Sequence, residues 1–326
     1  MKKILTLLFF LSLPAFALAE SPFTLEDQCR ETVVLKENGK PVWEYNYRMK
    51  ELPSLTFGTR QRFCSAGWFH PVYGLNGELM TANIPETYHP NHHGIWTAFM
   101  NIFVREADGE ITSYNTWMDH TDLKKEFIDW ELKEATDDYY KFRVHNGWFR
   151  CRYGENPILP VPKENYVDET ITVTTYKITE NEEFGRHRVM EFEYTWAPTK
   201  YEVRFAGDKP GERAFCSFAF RFATLKDGLQ PKIYNEKGLI PEDDMLCPCE
   251  WVDYVYQFGG KDKPATGVKI IPDAANPPSK DGWAIRHYGL VVAGWPGRDG
   301  TLLKPGESVT LKYRVIFHEK LSESQK

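Results

Sequence analysis

The amino-acid pattern predicts an all-β protein built as a large antiparallel two-sheet sandwich. Three observations carry this reading. Short runs rich in Val, Ile, Thr, Tyr, Phe and Trp recur between clusters of Gly, Pro, Asn and Asp. No amphipathic helical stretch exceeds about two turns. No linker or shift in composition divides the chain, and the Pro-rich NPILPVPKEN segment reads as a loop inside one domain.

Taken in order, MKKILTLLFFLSLPAFALAE has the charged start, apolar stretch and Ala-x-Ala end of a secretory signal peptide. Residues 1–19 are therefore expected to be removed, leaving residues 20–326 as a single exported domain, periplasmic or secreted. ETVVL and PVWEYNYRM flank Asn38-Gly39, which predicts a tight hairpin. IWTAFMNIFV is apolar on both alternating faces and reads as one strand buried on both sides. LKKEFIDWELKE fits a helix or a strand. YYKFRVHNGWF, TITVTTYKI, RVMEFEYTW, FCSFAFRFATL, GLVVAGW and VTLKYRVIFHE complete the strand series.

The net charge is −6, or −8 once Lys2 and Lys3 leave, which argues against a nucleic-acid partner. No later segment has the ~18–20 continuous apolar residues of a membrane helix, so membrane insertion is not expected. Six cysteines in an exported chain permit disulfides without fixing their pairing. Cys247-Pro248-Cys249 resembles half a zinc knuckle with no second half in sequence, and a buried thiol or a disulfide partner suits it better.

The chemistry concentrates in YHPNHHGIW, residues 88–96, where three histidines precede an interior strand. Strand ends of this kind rim concave pockets. His92 and His93 are adjacent and point to opposite faces of an extended chain, which weakens a three-histidine claw from this segment alone. A metal set of His70, His89 and His92 stays open beside general acid–base roles for the same residues. Glu86 and Asp119 are nearby acid candidates, and Asp253 in EWVDY is a general base or a partner orienting a histidine. Arg286 offers a donor fork, while Trp117, Trp283, Tyr114, Tyr288 and His93 offer ring faces or polar contacts for a sugar. Arg221 in FAFRF has no predictable side.

WFHPVYGLNGELMTANIPETYHPNHHGIW reads as a continuous signature, followed in order by CEWVDYVYQFGGK, the NPP segment, GWAIRHYGLVVAGWPG and LKPGESVTLKYRVIFHE. Together with ENGKPVWEYNY these resemble the exported bacterial family labelled "PmoA family" or "methane oxygenase PmoA". The resemblance implies a supersandwich similar to galactose mutarotases, in a carbohydrate setting. His89 and His92 carry over directly, as do Arg286, Tyr288 and Gly289. Tyr88, Asn91, His93 and His287 depart from the family pattern. The resulting expectation is a carbohydrate-active enzyme performing hydrolysis, elimination or epimerisation, with a saccharide ligand and no obligatory cofactor. Catalysis falls to His70, His89, His92 and Asp253, and substrate contacts to Arg286, Trp117, Trp283, His93 and Tyr288. A glycan-binding protein without catalysis and a histidine-ligated oxidoreductase are the alternatives.

Overall fold

The computed structural model describes residues 21–48, 50–51, 63–64, 66–83, 89, 91–117, 123–150, 164–207, 216–223, 228–279 and 281–321. Every element among them is a β-strand, and all the pairings are antiparallel. The expected signal segment, Glu86 and Asp119 lie outside these residues.

Two large sheets form the sandwich. The first has nine strands in the spatial order Phe23–Gln28, Thr32–Glu37, Lys40–Asn46, Trp68–Val72, Ile95–Phe99, Cys216–Arg221, Leu290–Ala293, Trp283–Arg286 and Asp244–Cys247. The second has ten, and runs from Leu123–Ala135 through Tyr139–Arg150, Asn165–Tyr176, Gly185–Pro198, Val309–His318 and Thr266–Pro272 to Val252–Tyr256, Lys232–Asn235 and Gly238–Ile240. Thr179–Asn181 pairs beside Gly185–Pro198. The Asn38-Gly39 hairpin forms as the sequence predicts, with both turn residues at positive φ (50° and 76°).

Two expectations change. IWTAFMNIFV is not one strand: Ile95–Phe99 belongs to the nine-stranded sheet, and Asn101–Arg105 passes into a separate four-stranded sheet. The break at Met100 is held by Thr116, whose backbone N–H donates to the Phe99 carbonyl at 3.0 Å, and by Asn101, whose Nδ2 donates to the Gly207 carbonyl at 2.5 Å. LKKEFIDWELKE resolves as strand, because Leu123–Ala135 pairs along nearly its whole length with Tyr139–Arg150 at the margin of the ten-stranded sheet.

Alternation along each strand sorts side chains between two environments. Ile95, Phe99, Phe218, Phe220, Val291, Trp283 and Ile285 enter the inter-sheet core, which runs from Phe23 to Phe317. Trp68, Trp96, Ala98, Ala219, Ala284, Leu290 and Val292 point the other way and form a second apolar layer with Trp117.

Inside the main core sits a charged knot. Lys125 Nζ lies 3.2 Å from Glu169 Oε1, and both side chains are almost wholly buried. Glu169 also accepts from Thr97 Oγ1 (2.9 Å), Trp196 Nε1 (2.9 Å) and Asn146 Nδ2 (3.2 Å). Lys125 donates in addition to the Thr97 carbonyl at 2.5 Å. Removing one partner would strand a charge in the core, so Glu169→Ala should cost about 3–5 kcal/mol in a urea titration. The double change Lys125→Met/Glu169→Leu should cost less than Glu169→Ala alone. A larger loss for the double variant would show that the pair contributes packing and not charge balance.

Candidate functional site

The site is assembled on the outward face of the nine-stranded sheet, by the same alternation that fills the second apolar layer. His70 follows Trp68 by two residues, Arg221 follows Ala219, and Arg286 follows Ala284. The 89–93 segment delivers three histidines to the same place.

Backbone geometry fixes this delivery. Gly94 has φ +63°, and a Cβ there would lie 2.2 Å from the Phe69 carbonyl oxygen. Its N–H donates to the Ala82 carbonyl at 2.9 Å, and its own carbonyl accepts from the Arg221 N–H at 2.6 Å. Asn83 forms a bridge with His93. Three segments distant in sequence are thereby stitched together beneath the histidines.

His89 is exposed. Its ring stacks on His92 at 4.7 Å between centroids and on Tyr288 at 4.9 Å. His92 is buried at 3% exposure, and its Nδ1 has no hydrogen-bond partner. It packs against Trp96 at 5.6 Å and edge-on to Trp117 at 5.9 Å. His93 is buried, with Nδ1 3.1 Å from Asn83 Oδ1 and its ring stacked on Trp68 at 5.3 Å. His70 Nδ1 lies 2.9 Å from Thr81 Oγ1, which also accepts from the Val72 N–H.

Burial sets the electrostatics. Desolvation lowers the pKa of His89, with Arg221 and Arg286 adding to the shift. Desolvation pushes His92 well below its ordinary value, helped by His89 and Arg221. His70 falls to about 4 through desolvation and the neighbouring His93. Near neutral pH, His70, His89 and His92 are therefore uncharged imidazoles beside fixed positive charge.

Both arginines meet at Tyr288. The guanidinium carbons of Arg221 and Arg286 each lie 5.0 Å from its ring centroid. Arg221 also donates to the Tyr288 carbonyl. Arg286 Nε pairs with Asp243 Oδ2 at 2.5 Å, and Asp243 accepts the His287 N–H at 2.6 Å.

The structure thus brings together His70, His89, His92, His93, Arg286, Tyr288 and Trp117, residues from opposite halves of the sequence. Trp117 is only 4% exposed and packs under His92, so it supports the site and presents no open ring face. Three predicted residues are elsewhere. Asp253 lies in the other sheet, where its neighbour Tyr254 takes the core-facing place against Phe222 and Asp253 turns outward to His318, 3.1 Å away. Trp283 enters the inter-sheet core and donates from Nε1 to the Cys249 carbonyl. Tyr114 is a core residue whose hydroxyl donates to Glu106.

The described residues also hold no group of three or more His, Cys, Asp or Glu able to grip a metal ion. His89 and His92 stack face to face, which sends their in-plane lone pairs along nearly parallel planes, and His70 is turned to Thr81. Cys29, Cys216, Cys247 and Cys249 are free thiols, with the last two sulfurs 3.7 Å apart.

Sequence reasoning missed Asp243, Trp68, Trp96 and Thr81. Asp243 gives no local signal, since its partners lie 43 and 44 residues downstream. Trp68 stands at the head of the histidine–proline signature and was a readable candidate. Cavities of about 590 and 540 Å³ lie elsewhere. The charges lining the first include two pairs, Lys312 with Glu193 and Arg314 with Glu191. The second is lined by Trp251, Trp283 and Trp295 with no histidine.

Comparison with known proteins adds one match. The profile of a family of unknown function, DUF6807, covers residues 32–326. No curated protein matches the chain.

Two outcomes follow from the geometry. Gly94→Ala would force a side chain onto the Phe69 carbonyl at a left-handed φ, and should destabilise the fold by more than about 1 kcal/mol in thermal or urea unfolding. His70 holds its proton less tightly when folded, at about 4 against 6.5 for the free side chain, so the unfolded chain takes up more protons between those values. Its contribution is complete above pH 6.5 and is lost as pH falls toward 4, by roughly 3 kcal/mol. Urea titrations at stepped pH should show a decline over this range, and His70→Asn should make it shallower while the shares of His89 and His92 remain.

Proposed function

The chain belongs to that family of unknown function, and from this premise we propose that it is a carbohydrate-active enzyme using a neutral histidine as general base. The carrying observation is His89: an exposed imidazole, pressed uncharged by burial and two guanidiniums, lying flat on Tyr288 and His92. A neutral imidazole beside fixed positive charge is suited to take a proton from a hydroxyl or a carbon acid. The flanking arginines would hold the oxygen on which negative charge develops.

The site charges favour proton abstraction, as in epimerisation or elimination, over hydrolysis. Two-carboxylate hydrolysis needs an acid pair about 5–9 Å apart. Asp243 is the carboxylate that the described residues bring to this face, and Arg286 and His287 both engage it. A binding-only role would call for an open aromatic shelf. Trp68, Trp96 and Trp117 are instead 4–5% exposed and serve as the floor. The resemblance to the PmoA-labelled family and to galactose-mutarotase-like supersandwiches supports a saccharide substrate. The signal-like first 19 residues support action outside the cytoplasm.

The test is a panel of mono- and oligosaccharides followed by proton NMR in deuterated water, where base-catalysed abstraction from carbon appears as solvent exchange or as new anomeric or alkene signals. His89→Asn should lower the rate by about 10²–10⁴-fold while leaving binding within a few fold. Activity should persist below pH 6.5, the ordinary histidine value, because the pKa of His89 is lowered, and should fall only at more acidic pH. Full activity in His89→Asn would remove histidine 89 from the chemistry, and a panel bound without turnover would leave a lectin-like protein.

A further inference from the structure

Arg221 is 5% exposed, yet it faces no carboxylate among the described residues. One nitrogen donates to the Tyr288 carbonyl, and Nε is buried without an acceptor. A guanidinium does not deprotonate in a protein, so burial cannot neutralise it, and an unpaired buried charge is costly. The fold nevertheless maintains this arrangement. Gly289, at φ +99°, leaves the space that Arg221 occupies, since a Cβ there would fall 2.6 Å from Arg221 Nη1.

The adjoining charges do not cancel it. Arg286 is answered by Asp243, which His287 also engages. His70, His89 and His92 are neutral for the reasons given above. Among the described residues, two guanidiniums against one carboxylate give this face one excess positive charge, on a chain whose net charge is −6. The excess is local and sits where His89 meets solvent.

We infer that this surface takes a saccharide carrying a carboxylate, a uronic acid residue, with its carboxylate set against the Arg221 side of Tyr288. The assignment rests on the saccharide reading above and adds the charge of the substrate. A carboxylate fits better than a phosphate ester on two counts. Its planar oxygens match a guanidinium fork, and its single charge equals the excess among the described residues of this face.

Binding of D-galacturonate and D-glucuronate, their methyl esters, D-galactose, D-glucose and acetate to the full chain can be compared by ligand-observed NMR at low and physiological salt. The acids should bind about tenfold tighter than their esters, with the advantage shrinking in salt and lost in Arg221→Gln. The wild-type comparison of acid against ester decides the matter even where Arg221→Gln fails to fold. Equal binding of acids, esters and neutral sugars would overturn the uronate assignment and leave the saccharide reading standing. Acetate binding that Arg221→Gln abolishes, with no sugar bound, would overturn the saccharide reading and retain only an anion subsite. No binding by any probe would overturn both.

Discussion

The ion pair between Lys125 and Glu169 is the constraint from which the rest of the molecule follows. Its members belong to the ten-stranded sheet, but their shared partner, Thr97, belongs to the nine-stranded one. The knot therefore fixes not only the sheets against each other but also which face of the Ile95–Phe99 strand looks inward. A slip of one residue would turn Thr97 outward and drive Trp96 into the core. That slip would also leave Lys125 and Glu169 without Thr97 in a dry interior, a cost that hydrophobic contacts of the same strand could not offset. Apolar residues at every other position of this strand make alternation alone indifferent to the choice, and the polar residue supplies the discrimination.

Register set at Thr97 propagates across the sheet through backbone pairing. Trp96 lies opposite Trp68 on one side and Ala219 on the other. Ala219 in turn pairs with Val292, and Val292 with Ala284. Large rings on two strands face small or branched side chains on the next three, which leaves a step in the outer apolar layer. The functional side chains stand at one end of this layer, two residues along each strand: His70 beyond Trp68, Arg221 beyond Ala219, Arg286 beyond Ala284. One polar row has been set at the end of an apolar one, and the dry floor behind it helps keep His70 and His92 uncharged.

Much of this was legible in the sequence, and the failures share a cause. Strand runs, the Asn38-Gly39 hairpin and the conjunction of the histidine segment with Arg286 and Tyr288 are carried by local composition and motif order. The side on which a residue falls is not, wherever a strand is buried on both faces. Trp283-Ala284-Ile285 is apolar throughout, so nothing local says that the tryptophan goes inward. Asp253 lies within a fully buried strand and reads as a pocket acid until Tyr254 is seen against Phe222 in the core. Arg221 was undecidable for the same reason, and proves central. The sheet switch at Met100 was hidden because the hydrophobic run continues across it, and only the bonds to Thr116 and Gly207 mark the break.

Burial acts differently on the two kinds of base that meet at Tyr288, and this difference gives the site its character. An imidazole answers desolvation by releasing its proton, so His92 can sit at 3% exposure as a neutral ring at little electrostatic cost. A guanidinium has no such exit, and Arg221 remains a charge in a dry environment. The neutral rings around it are weakly polarisable and do not screen that field as water would. The consequence is a positive potential concentrated at the rim, beside a base that is itself free of charge. Proton abstraction creates negative charge in the substrate, and here the stabilising charge is already in place before the base acts. Had His92 been exposed, it would take up positive charge at mildly acidic pH and compete with the arginines beside His89. Had Arg221 been exposed, water and salt would weaken its field over about 8–10 Å. The same dry floor therefore supplies both halves of the chemistry, which is why the tryptophans beneath the site matter although none of them needs to touch a ligand.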